Sequence, residues 1–182
     1  NTTSAFIAIV GKPNAGKSSI LNKLIGQKIA AVSDKPQTTR TRIMGVYTEG
    51  ETQLVFLDTP GQHRSRNRLD DFMRRSIGEA LSEIEGCLLV TTPDTVIHDE
   101  EKELLRRLQK DGTPTLLAIN KIDKPGANPD KIREQLSNMN ILVEDWGGKY
   151  QCQEISAKKG INVDLLLEKV LLEAEMLELK AN

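Results

Sequence analysis

Gly11-Lys12-Pro13-Asn14-Ala15-Gly16-Lys17-Ser18 lies between the apolar run Phe6 to Val10 and the helix-compatible stretch Ser19 to Leu24. A glycine-bearing turn is thus held between a strand and a helix, the context that the pattern G-x-x-x-x-G-K-[ST] requires. Average residue frequencies would produce that pattern in about 0.6% of random chains of this length. Successive backbone N–H groups of such a turn, backed by a helix N-terminus, cradle phosphate oxygens; glycine is needed where a Cβ would block their approach. Asn14, Ala15, Gly16, Lys17, Ser18 and Ser19 are therefore candidate phosphate-binding residues. Lys17 reaches the β- and γ-oxygens, which also makes it a candidate catalytic residue, and Ser18 offers its hydroxyl to Mg²⁺.

Three further signals follow in order, each at the end of an apolar run. Asp58-Thr59-Pro60-Gly61 places a carboxylate where it can hold Mg²⁺ through water and a Gly61 N–H where it can sense a γ-phosphate. Asn120-Lys121-Ile122-Asp123 offers, in Asp123, an acceptor for both N1–H and the exocyclic amine of guanine, donors that adenine does not present at those positions. Ser156-Ala157-Lys158 supplies backbone N–H groups for guanine O6. Any one of these short motifs alone reads as a plain loop. Their conjunction reads as a site for GTP or GDP at the carboxyl edge of a sheet. Between the first two signals, Pro36 to Arg42 carries adjacent threonines. Thr39, preferred over Thr38, is the candidate that completes the Mg²⁺ shell when a γ-phosphate is present.

Outward from these motifs the chain alternates strands and helices. Strands are expected at Phe6 to Val10, Ile43 to Tyr47, Gln53 to Asp58, Cys87 to Thr91, Thr115 to Asn120 and Gln153 to Ser156, and helices near Lys17, Leu69, Asp99, Pro129 and Val163. Glu49-Gly50-Glu51 joins the second and third strands as a hairpin, so one pair is antiparallel. The fold class is α/β of the P-loop NTPase kind, a mainly parallel six-stranded sheet with helices on both faces, in one domain of 182 residues. The formal net charge of -1 gives no global pull toward nucleic acid or anionic lipid, and no apolar run is long enough to span a membrane. With two cysteines, Cys87 and Cys152, the composition does not read as a disulfide framework and fits a cytoplasmic setting. The absence of an initiator Met reads as a domain cut from a longer chain.

The residues carry a resemblance as well. Gly11 to Ser19, Leu21-Asn22, Gly26-Gln27-Lys28-Ile29, Ser33 to Ile43 and Asp58 to Gly61 resemble the G domain of the Era-type ribosome-assembly GTPases, over about residues 5 to 123. Asn120 to Asp130, Glu144-Asp145-Trp146-Gly147-Gly148 and Glu173 to Lys180 instead resemble the G domain of bacterial translation initiation factor 2. The change falls at a guanine-reading motif that both families share, which reads as a chimera, with a divergent natural protein as the other possibility. The resemblance implies GTP hydrolysis coupled to small-subunit ribosome maturation. It also implies that ribosomal RNA is bound through a KH domain, for which this chain has no residues left. Nothing fixes the oligomeric state. Two other readings stay open: an ATP-using P-loop enzyme, against which Asp123 argues, and a nucleotide-binding scaffold with little turnover.

Smaller signals complete the reading. The resemblance implies a K⁺ held by Asn14, whereas asparagine also suits tight turns for local reasons. Gln62, where Era-type members usually carry an apolar residue, is a second candidate catalytic residue that could orient the attacking water. Arg64, Arg66, Arg68, Arg74 and Arg75 read as a solvated face, with RNA contact as the alternative. Trp146 reads as a local packing anchor. On the last helix, Leu166, Val170 and Leu177 read as core, with a partner surface as the remainder.

Overall fold

A computed structural model of the chain describes residues 3–12, 15–25, 42–58, 85–93 and 96–181. The elements run β1 (Thr3–Gly11), α1 (Lys17–Ile25), β2 (Arg42–Glu49), β3 (Thr52–Asp58), β4 (Gly86–Thr91), α2 (Asp99–Asp111), β5 (Thr115–Ile119), α3 (Pro129–Asn138), β6 (Cys152–Glu154) and α4 (Val163–Ala181). All six expected strands are present, and α1 to α4 begin at Lys17, Asp99, Pro129 and Val163, as the sequence predicts. The helix expected near Leu69 lies outside the described residues. So do the five arginines and Gln62.

The strands form one sheet in the order β2-β3-β1-β4-β5-β6. Every pair is parallel except β2 with β3, the hairpin, which turns at Gly50 with φ +61. A side chain there would sit in left-handed backbone that glycine occupies without a Cβ penalty. Because a parallel sheet is covered on both sides, its strands are apolar at nearly every position rather than alternately. In β1, Ala5, Ile7 and Ile9 face one core with Ile20, Leu21 and Leu24 of α1 and Leu166, Val170 and Ala174 of α4. Ala8 and Val10 point the other way, into a core with Leu105 and Leu108 of α2 and Ile132 and Leu136 of α3. Each large side chain among these contributes about 1.5–3 kcal/mol when fully buried.

Local chemistry sets the helix ends. Gly112, at φ +69, closes α2 with its N–H on Gln109 O at 3.2 Å. Asn128 Oδ1 accepts from Lys131 N at 3.3 Å and Pro129 fixes the first helical φ, so α3 starts where a cap and a pre-set dihedral coincide. β6 is shorter than expected and ends at Glu154, because Ser156 leaves the ladder to bridge Ile161. Trp146 is 41% exposed, less of an anchor than its size suggests. The turn it occupies is set instead by Gly147 at φ +93 and by Gly148, where a Cβ would run into the Leu142 carbonyl oxygen. Cys87 and Cys152 are free and buried. Burial raises both thiols, Cys152 to about 11, so neither is a thiolate at neutral pH. Among the described residues no helix is long and apolar enough to cross a membrane.

Register positions the site. Gly11 stands opposite Val90, Thr91 opposite Ile119, and Ile119 opposite Glu154, so the parallel strands β1, β4, β5 and β6 end along one edge. The segments that follow them converge there, the place where open α/β sheets bind ligands.

Candidate nucleotide-binding site

The phosphate-loop segment leaves β1 at Gly11, where a Cβ would collide with the Val90 carbonyl oxygen of the neighbouring strand. At its far end Gly16 has φ +99, and a Cβ there would meet Nδ2 of Asn120. Both glycines are thus demanded by close approach, the second also by its backbone conformation. Between them Ala15 is fully buried, with its N–H on Lys12 O at 3.3 Å. Gly16 O accepts the first helical bond of α1, from Ile20 N at 3.0 Å. Lys17 is partly buried and its Nζ donates to Gly11 O at 2.9 Å, so the ammonium is folded back over the loop. Ser18 and Ser19 are both exposed on the first turn of α1.

Asn120 holds this segment to the rest of the edge. It is 3% exposed, and its N–H donates to Thr91 O at 2.8 Å. Its Nδ2 donates to Ala15 O at 2.9 Å, and its Oδ1 accepts from Ala157 N at 3.0 Å. One asparagine therefore ties the loops after β1 and β6 to the ends of β4 and β5, and all three partners are backbone groups. Lys121 follows in left-handed backbone at φ +65, turning the chain toward Asp123 at the edge. The loop after β6 is closed by reciprocal bonds between Ser156 and Ile161, at 3.1 and 2.9 Å, with Gly160 at φ +73 in the turn.

Ser156 is fully buried; its Oγ donates to Asp123 Oδ1 at 2.7 Å and accepts from Lys159 N at 3.2 Å. The Ser156 hydroxyl holds the Asp123 carboxyl below the usual carboxylate range, slight desolvation opposes it, and Lys159 and Lys158 add to the lowering. At neutral pH Asp123 is therefore an acceptor with one oxygen oriented from within the protein. The Ser156 N–H and the Ala157 N–H are already spent, on Ile161 O and Asn120 Oδ1.

Of the residues singled out from sequence, Ala15, Gly16, Lys17, Asn120, Lys121, Asp123, Ser156 and Ala157 come together as described, with Ser18, Ser19 and Lys158 beside them on the same loops. Asn14, Thr39, Gly61 and Gln62, and the side chain of Asp58, lie outside the described residues; the Asp58 backbone ends β3 beside β1. Two supports go beyond the motifs. Glu101, 3% exposed on α2, accepts from Thr91 Oγ1 at 2.7 Å and from His98 N at 3.1 Å, fixing the end of β4 that receives Asn120. Its position at the start of a helix is the capping signal that could have found it. Arg133 of α3, its side chain 6% exposed, pairs with Glu154 at 2.7 Å and anchors β6 just before Ser156. No local pattern links residues so far apart in sequence.

This fold and this edge define a P-loop GTPase G domain. The chain belongs to the family described as 50S ribosome-binding GTPase, whose model matches residues 6–121. It is 45% identical over 177 residues to translation initiation factor IF-2 of Cytophaga hutchinsonii, covering 97% of this chain and 17% of that protein. Against IF-2 of Porphyromonas gingivalis the identity is 42% over the same length and shares. The chain thus spans 17% of the length of these curated relatives, while their likeness runs along nearly all of it. Among solved structures, Era in complex with MgGDPNP and nucleotides 1506–1542 of 16S ribosomal RNA matches with TM-score 0.71 at 32% identity, over 94% of this chain and 57% of that one. An Aquifex aeolicus Era variant bound to GDP·AlF4⁻ matches equally well, TM-score 0.71 at 32% identity, over 93% of this chain and 56% of that one.

Proposed function

We propose that this chain is a guanine-nucleotide-binding domain that hydrolyses GTP to GDP and phosphate, the G domain of an Era-like, ribosome-associated GTPase with an initiation-factor-like C-terminal part. The observation that carries the reading is the buried Asn120 amide, which joins the phosphate loop to the Ser156-Ala157 loop while Asp123 stands at the same edge with its carboxylate oriented by Ser156. Asp123 takes the guanine N1–H and exocyclic amine. With the Ser156 and Ala157 N–H groups already paired, the Lys158 N–H is the remaining donor of that triplet for O6. Asn14 to Ser19 receive the phosphates. Lys17 moves from Gly11 O to the β- and γ-oxygens, exchanging one neutral acceptor for charged ones.

Ser18 lies in the first turn of α1 and Asp58 ends β3 at the same sheet edge; their hydroxyl and carboxylate, with the Thr39 hydroxyl from outside the described residues, are the hard oxygen set that suits Mg²⁺. Bound there, Mg²⁺ would neutralise charge on the transferred phosphoryl group. The change of resemblance near Asp123 is compatible with a working site, because the Asn120 bonds to Ala15 and Ala157 reach both sides of it. The chain spans 17% of the initiation-factor relative and 57% of the Era chain that it matches.

The test is single-turnover GTP hydrolysis by the purified chain, with bound nucleotide quantified in the same sample. Tight guanine nucleotide without hydrolysis would favour a scaffold, and equal use of ATP would favour a general P-loop enzyme. If Asn14 holds K⁺, replacing Na⁺ by K⁺ at constant ionic strength speeds hydrolysis, and Asn14→Ala erases the difference with GDP binding nearly intact. Equal rates in the two salts would remove that role. Gln62→Leu should cost less than about tenfold, since the surrounding sequence resembles a family that works with an apolar residue there. A loss of about two or more orders of magnitude in the same assay would make Gln62 the water-positioning group.

A further inference from the structure

Helix α4 has two faces that differ in kind. Its inner side, with Leu166, Val170 and Ala174, closes the core against β1. On the outer side Leu165, Leu172 and Met176 are 41%, 51% and 47% exposed. Spaced seven and four residues apart, they fall within about 40° of one another around a helix of 3.6 residues per turn and form one lane. Asp164, Glu168 and Glu175 are also exposed, and the same spacing sets them in a second lane along one flank of the first. No lysine or arginine on this helix is fully exposed among the residues whose burial is described, and Lys169 is turned back onto Cys152 O at 2.9 Å.

Single exposed leucines are ordinary, but an apolar lane with an acidic flank has the form of half an interface. The acids disfavour nucleic acid and anionic lipid, whose phosphates they would repel, and they favour a cationic partner. A second copy laid antiparallel on this face would set acids against acids. We propose that the outer face of α4 docks a basic amphipathic helix of a partner protein, its leucines on the Leu165–Leu172–Met176 lane and its lysines or arginines beside Asp164, Glu168 and Glu175. This surface lies on the side of α4 away from the sheet, and its use does not depend on which nucleotide the domain binds.

The experiment titrates a fluorescent helical peptide of about 18 residues, with leucines at helical spacing flanked on one side by lysines, with the 182-residue chain at low salt and at about 0.5 M salt. A control peptide carries glutamates in place of the lysines. Saturable binding is expected for the basic peptide alone, weakened at least about tenfold by salt, by Leu172→Ser and by Glu168→Lys with Glu175→Lys. Circular dichroism of the variants should be unchanged, since none of these side chains is in the core. Absence of binding, equal binding by the variants, or equal binding of the glutamate peptide would overturn the proposal. So would sedimentation showing a dimer of the chain that Leu172→Ser dissociates, because the occupant would then be a second copy.

Discussion

Asn120→Ala should leave the chain folded only marginally and reduce guanine-nucleotide affinity by at least about a hundredfold. The side chain donates to Ala15 O and accepts from Ala157 N, and those two residues are 0% and 1% exposed. Alanine supplies neither group, so the carbonyl and the N–H lose their partners in a buried setting. An unpaired buried backbone group costs about 1–3 kcal/mol, so the two together put the loss of stability at about 2–6 kcal/mol. Much of a small domain's total stability would be gone. Binding falls for a separate reason: without the strut, the phosphate loop and the Ser156-Ala157 loop are no longer held in one register, and a bound nucleotide must supply the ordering. Urea unfolding and titration with a fluorescent GDP measure the two effects. A variant with wild-type midpoint and affinity would show that the bridge is incidental.

The phosphate loop, the hairpin and the alternation of strand with helix are legible in the sequence because each depends on near neighbours: glycine where backbones approach, apolar runs for buried strands, Pro129 and Asn128 at a helix start. The guanine edge is legible as a set of motifs but not as a mechanism. Nothing in Asn-Lys-Ile-Asp says that its asparagine is spent on the protein's own backbone, or that Ser156 orients Asp123 across 33 residues. Those facts come from register, which brings the ends of β5 and β6 side by side. Arg133 escapes a sequence reading for the same reason; Glu101 carries a capping signal, but its burial against Thr91 is not legible there. A buried carboxylate or guanidinium reads as a surface charge until its partner, Thr91 or Glu154, is placed. The expected sixth strand overruns the observed one because the exit of Ser156 from the ladder depends on its bridge to Ile161.

Asp123→Asn should move nucleotide preference from guanine to xanthine. The carboxylate accepts from two donors of guanine; an amide keeps one acceptor and turns an NH₂ toward the base's 2-position, where xanthine carries a carbonyl. A hydrogen bond to a charged group contributes about 1.5–3 kcal/mol. Losing one with guanine and gaining a neutral amide–carbonyl bond of about 0.5–1.5 kcal/mol with xanthine shifts selectivity by about 2–4.5 kcal/mol, or about 30- to 2000-fold. Because the Ser156 hydroxyl keeps Asp123 ionised below the usual carboxylate range, wild-type guanine preference should persist as pH falls through that range and fail only below it. The decisive measurement is a competition titration of fluorescent GDP by GDP, XDP and ADP, on the wild-type chain and on Asp123→Asn. GDP far ahead of both rivals on the wild type, and XDP ahead on the variant, is the predicted result; ADP competing as well as GDP, or a variant with unchanged preference, would contradict a guanine-nucleotide site.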